Sequence, residues 1–120
     1  NPVVSNTIAG ASLSSDEVTL PAGIYIVFAQ SAVFRVDRHI LRLKNVTDTS
    51  YISSSLSGFS SNSNGASGPA TIKANFSITS AKAFSLSHNI STAFTTSGLG
   101  LAADRGIVEV YSQFIIEKIG

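Results

Sequence analysis

The side chains able to do chemistry in this sequence are few and unevenly placed. The 120 residues include two histidines, His39 and His88, and no cysteine. Alternation with their neighbours puts both histidines on the inward faces of their strands. Such a pair can bind a metal or sense pH. Metal sites add further ligands and hydrogen-bonded outer partners, so a hydrogen-bonded core or interface pair is the stronger reading, and no metal or other cofactor is expected. A second cluster is Arg35, Asp37, Arg38, Arg42 and Lys44. It reads first as a solvated strand face with Asp37 pairing one arginine, then as a subunit contact, then as a patch for an anionic glycan or lipopolysaccharide.

Catalytic arrangements are weakly represented. Serine, histidine and aspartate are all present, but there is no G-x-S-x-G elbow. Gly98-Leu99-Gly100 lacks the lysine of a phosphate loop. Asp104 and Glu109 are the acids nearest a loop end, and nothing marks them as the carboxylate pair of a glycosidase. The expectation is a binding or structural protein, not an enzyme.

The elements that position these residues follow from composition. Charged residues make up only 12% of the chain, against 43% hydrophobic, and the net charge is +1. The basic footprint of a nucleic-acid binder is missing. No apolar run is long enough for a membrane-spanning helix, so membrane insertion is not expected. The start, Asn1-Pro2-Val3, has neither the basic nor the apolar region of a signal peptide. A small domain without disulfides needs another source of stability, and oligomerisation is the obvious one.

No segment shows helical periodicity. Weak strand character surrounds Val3–Ile8, and Glu17–Leu20 reads as a short strand closed by Pro21-Ala22-Gly23. Ile24–Phe34 is apolar on both faces, with Ile24, Ile26, Phe28, Ala32 and Phe34 on the face assigned to the core and Tyr25, Val27, Ala29 and Val33 opposite. Arg35–Arg38 is a bend, and His39–Val46 and Tyr51–Leu56 are strands. Ser57–Pro69 is loop-like, and Ala70–Thr79 and Ala83–Ser91 alternate well enough to read as a hairpin. Thr92–Arg105 is a second long connection. Ile107–Ile119 is the closing strand and is again apolar on both faces. About eight strands without helices predict an antiparallel β-sandwich of jelly-roll type in one domain, residues 1–120. Two strands with a second apolar face predict a subunit interface, most simply a homotrimer, with a second domain of a longer chain covering that face as the alternative.

The arrangement V-T-L-P-A-G-I-Y-I (Val18–Ile26), then R-x-D-R-H-x-L-R-L-x-N-V-T-D (Arg35–Asp48), then E-V-Y-S-Q-F-I-I-E-K-I (Glu109–Ile119) resembles the receptor-binding tip domains of bacteriophage tail fibres. Those domains are similar to the tumour-necrosis-factor-like and complement-type jelly rolls. The resemblance covers Glu17 to the C-terminus, and Tyr51–Pro69 matches nothing in it. It implies a homotrimer at the distal end of a virion's fibre, the C-terminal tip of a longer chain, recognising a bacterial surface glycan or protein. Alternatives are a virion decoration or capsid-associated trimer without a ligand, and a secreted jelly-roll ligand.

Within that frame Tyr25, Val27, Tyr111 and Ile115 are the expected trimer-interface residues, each opposite the assigned core side of its strand. Phe59, Asn62, Asn64 and Phe94, on the two longest loops, are the expected ligand contacts. An exposed aromatic stacks on a sugar's apolar face while asparagine and serine bond its hydroxyls; Phe59 and Phe94 folding back to pin their own loops is the competing reading. Asn45, Asn75 and Asn89 begin glycosylation sequons, which matter only in a secreted eukaryotic protein.

Overall fold

Nine β-strands follow one another with no helix among the described residues: β1 (Ser12–Ser14), β2 (Glu17–Leu20), β3 (Gly23–Ser31), β4 (Asp37–Asn45), β5 (Ser50–Ser54), β6 (Gly58–Ser60), β7 (Ala70–Ile78), β8 (Lys82–Ile90) and β9 (Ser112–Lys118). The structure is a computed structural model that describes residues 6–14, 16–63, 68–93, 98, 100, 104–106 and 111–120. The larger sheet has the order β1-β2-β8-β4-β5, with β6 also pairing β4; the smaller has the order β7-β3-β9. All pairings are antiparallel. The core between the sheets takes Leu20, Leu41, Leu43 and Phe84 from the larger sheet, and Tyr25, Val27, Ala29, Ala70 and Ile72 from the smaller. The protein is an all-β antiparallel sandwich, as the alternation predicts.

The two faces of β3 are reversed from the expected assignment. Tyr25 and Val27 are 0% and 1% exposed, whereas Ile24 and Ile26 are 46% and 44% exposed. Tyr25 and Val27 are therefore core residues and cannot form a subunit face. The Tyr25 ring stacks on Phe76 at 5.6 Å, and its hydroxyl donates to the Pro21 carbonyl at 2.7 Å. That bond satisfies the one polar atom the ring carries inward.

The expected hairpin of residues 70–79 and 83–91 is also corrected. β7 pairs β3 in the smaller sheet, while β8 pairs β2 and β4 in the larger. Their connection crosses the sandwich edge. Alternation puts Ile72, Ala74, Phe76 and Ile78 inward on β7 and Phe84 and Leu86 inward on β8. Two strands facing each other across a core show that same pattern, and only hydrogen bonding separates the two cases.

Smaller differences have local causes. β4 begins at Asp37, so the bend is confined to residues ahead of it. β6 forms inside the expected 57–69 loop. Within the 3–8 segment, residues 6–8 are not in a strand, and residues 3–5 lie outside the described residues. The closing strand is described from Ser112, and residues 107–110 lie outside the described residues. Gly23 is needed for room: a Cβ there would lie 2.8 Å from Lys118 Cε and 2.9 Å from the Gly120 carbonyl oxygen.

The sandwich has two unlike ends. At one, Asp48 accepts from Lys82 Nζ at 2.9 Å, tying the β4–β5 turn to the β7–β8 connection. The bond from Lys82 holds the Asp48 carboxyl below its usual range. Gly120 lies at this end, its carbonyl accepting from Ile24 N. The other end gathers residues 32–36 with residues 58–62 and 91–92.

Candidate functional site

Asp37 organises the loop end. Its Oδ1 accepts from the Asn62 backbone N–H at 3.0 Å and its Oδ2 from the Thr92 hydroxyl at 2.6 Å. One carboxylate thus pins the two longest connections to the start of β4. Arg35 adds two bonds in the same direction, from its backbone N–H to Ser60 Oγ and from Nε to the Asn62 carbonyl. Ser91 Oγ accepts from Arg38 N at 3.0 Å and donates to the Val36 carbonyl. Arg35 and Asp37 both have left-handed backbones, with φ of 59° and 58°. Such conformations cost on the order of 1 kcal/mol or more for residues other than glycine and persist where surrounding bonds fix them. Here those bonds come from both loops.

Beside this junction lies a groove of ≈ 320 Å³ lined by His39, Leu56–Phe59 and Gly68–Thr71. Phe59 is 63% exposed and Leu56 is 90% exposed. Neither folds back over the core, so the reading in which Phe59 pins its own loop does not hold. Asn62 is also exposed, and its backbone rather than its side chain makes the contacts to Asp37 and Arg35. Asn64 and Phe94 lie outside the described residues. Leu56 was missed as a site residue; its signal, a lone leucine inside Ser53-Ser54-Ser55-Leu56-Ser57, is weak.

The two histidines meet under the groove. His39 Nδ1 lies 3.2 Å from His88 Nε2, and His88 Nδ1 lies 3.3 Å from Ser31 Oγ. The Ser31 hydroxyl donates to the Ala32 carbonyl, leaving its oxygen to accept from His88 Nδ1–H. His88 Nε2 then accepts from His39 Nδ1–H. This chain assigns a lone pair to His39 Nε2, which is buried with no hydrogen-bond partner among the described residues. Gly58 covers that ring: a Cβ there would lie 2.6 Å from Nε2 and from Cε1. The pair is a hydrogen-bonded end of the core, the reading favoured from sequence. Among the described residues no group of three or more metal-binding side chains exists.

Burial pushes the His39 pKa down, and burial plus the neighbouring His39 charge pushes His88 down. The unfolded chain therefore binds protons more readily than the folded one below the ordinary histidine value of about 6.5. Stability from this pair is complete above that pH and is lost as pH falls through the lowered folded values. Thermal melts should show a midpoint that is flat from pH 8 to 7 and drops below pH 6.5. The slope is at most about 1.4 kcal/mol per pH unit for each proton taken up. His88→Gln, whose amide oxygen can accept from His39 Nδ1–H, should flatten the drop; an unchanged pH profile would show that the pair does not control it.

The remaining sequence candidates are dispersed. Ile115 is 56% exposed on the outer face of the smaller sheet, opposite Phe28. Tyr111, 39% exposed, precedes β9, accepts from Ala32 N at 2.8 Å through its carbonyl, and packs its ring against Gly100. Asp104 is exposed and Glu109 lies outside the described residues. Asn45 is buried, with its side chain bonded to Asp48 in the β4–β5 turn, while Asn75 and Asn89 are exposed. The chain matches no protein-family model, no curated protein and no solved structure.

Proposed function

We propose that this chain is a host-receptor-binding tip of a phage tail fibre, working as a homotrimer whose loop ends meet the bacterial surface. The observation that carries the reading is the surface of the smaller sheet. Ile24, Ile26 and Ile115 form an exposed aliphatic row there, each between 44% and 56% exposed. Scattered surface aliphatics need no explanation, but a contiguous row suits an association site. Copies meeting through this face would leave the loop end and the larger sheet free. The corrected subunit face is Ile24, Ile26, Phe28 and Ile115, in place of Tyr25 and Val27.

A jelly-roll topology belongs to this proposal. The strand order supports it: from β2 to β4, and again from β7 to β9, successive strands alternate between sheets, and β3 lies between β7 and β9. The loop end supports a recognition role, because binding residues tend to lie on loops that a rigid scaffold presents. Phe59 and Leu56 offer apolar surface beside the polar side chains of Ser57, Asn62 and Thr71.

The test is adsorption of the labelled domain to a panel of bacterial strains. The parent should adsorb to some strains and not to others. Phe59→Ala, Asn62→Ala, Asn64→Ala and Phe94→Ala, made singly, should include at least one that weakens adsorption about tenfold, the scale of a strong interface contact. Asn62→Ala leaves the Asp37 pin in place, since that contact is made by the backbone. Failure of the parent to adsorb to any strain would count against the proposal; four variants adsorbing like the parent would place the site elsewhere.

A further inference from the structure

We infer that the outer face of the larger sheet, along β4, binds an acidic polysaccharide. The inference rests on the receptor-binding reading and names the receptor's chemistry. Arg38, Arg42 and Lys44 occupy outward positions of one strand, alternating with the core residues His39, Leu41 and Leu43. At about 3.4 Å per residue, the first two cations are separated by about 14 Å along the strand and the next two by about 7 Å. They form a line of positive charge matching a linear polymer with repeated carboxylates or phosphates.

None of the three pairs a carboxylate among the described residues. The Lys82–Asp48 ion pair lies at the opposite end from the loops. Glu17 on β2 is the carboxylate whose strand position puts it on the same face, and β8 lies between β2 and β4. Asp37 turns inward to the loops. Arg42 sits over the Tyr51 ring, its guanidinium carbon 3.8 Å from the centroid, and its Nε is buried with no acceptor among the described residues. A buried N–H without a partner is costly, and a fixed guanidinium suits a bidentate carboxylate or phosphate.

Aromatic surface flanks the charged line. Phe59 sits directly opposite Arg38 across the β4–β6 pair, and Tyr51 directly opposite Lys44 across the β4–β5 pair. Both rings are substantially exposed; the Tyr51 ring carries Arg42 on one face, while Phe59 offers a ring face suited to the apolar face of a sugar. On the other side of β4, Asn89 lies opposite Ile40 and offers an amide to sugar hydroxyls. Three cations on a chain of net charge +1 suit a sparsely charged glycan better than the dense charge of a nucleic acid.

The experiment is calorimetric titration of the 120-residue chain with alginate, neutral dextran and oligothymidylate at low and physiological salt, with strain adsorption run in parallel. Alginate should bind, more weakly at higher salt, and dextran should not. Arg38→Gln with Lys44→Gln should weaken alginate binding about tenfold or more without lowering the melting temperature, because a bond to a charged group is worth roughly that factor or more. Arg42→Lys, which keeps the charge and loses the fork, should weaken it further than charge alone predicts. Equal binding of alginate and dextran, tighter binding of oligothymidylate, or a double variant that binds alginate like the parent would each overturn the inference. Strain adsorption unaffected by the double variant, alongside absent alginate binding, would overturn this inference and leave the receptor-binding reading intact. Alginate binding without adsorption to any strain would do the reverse.

Discussion

Tyr25→Ala is expected to lower the unfolding free energy by about 3–5 kcal/mol, the usual cost of removing a large buried aromatic. The ring is fully buried, stacks on Phe76, and closes the β2–β3 turn through its bond to the Pro21 carbonyl. Domains of this size have a total stability of roughly 5–15 kcal/mol, so a large fraction would be lost. Tyr25→Phe keeps the packing and loses only the hydroxyl, which should cost about 1 kcal/mol. Denaturant melts of both variants measure this directly. The pair also separates two roles for the residue. A tyrosine at a subunit face would, when truncated, dissociate the assembly and spare the protomer. A near-normal melt for Tyr25→Ala would put the ring outside the core.

Ile26→Lys should do the opposite, keeping the protomer folded and dissociating the proposed trimer. Ile26 is 44% exposed and faces Glu117 directly across the β3–β9 pair. A lysine there gains a cross-strand partner of opposite charge, worth a few tenths to about 1 kcal/mol in the free protomer. In an assembly, the same ammonium would be carried into an apolar contact. Association through this face depends on apolar burial, about 25 cal/mol per Å² before the cost of immobilising the subunits. One buried charge per subunit is enough to reverse that balance. Sedimentation should give trimers for the parent and monomers for the variant, with unchanged circular dichroism. A parent that sediments as a monomer at micromolar concentration would refute the trimer, and a variant that remains trimeric would move the interface off this sheet.

The sequence by itself determined that this protein is built of strands, and on most of them which side chains share a face. Period-two alternation does that wherever one face is apolar and the other polar. His39, Leu41 and Leu43 on β4, and Ile72, Ala74, Phe76 and Ile78 on β7, all turn to the core as their spacing requires. It also placed Arg42 and Lys44 on the outer face and Asn62 on a loop; it left open whether Phe59 folds back onto the core, and the structure puts that ring exposed on the short strand β6.

Three things were decided only by the tertiary structure, each for a physical reason. β3 is apolar on both faces, so hydrophobicity could not say which face is inward. The face with the bulkier aliphatics stayed outside, because Tyr25, with an acceptor for its hydroxyl, and the smaller Val27 and Ala29 pack beneath the opposite sheet. The partners of β7 and β8 were undetermined because facing strands and paired strands bury side chains in the same alternating pattern. The convergence of Asp37, Asn62 and Thr92 was invisible because those residues are separated by 25 and 55 positions and meet only where the strands end together. Local pattern records which way a side chain points; which residues meet at the end of the sandwich depends on the pairing of strands far apart in the chain.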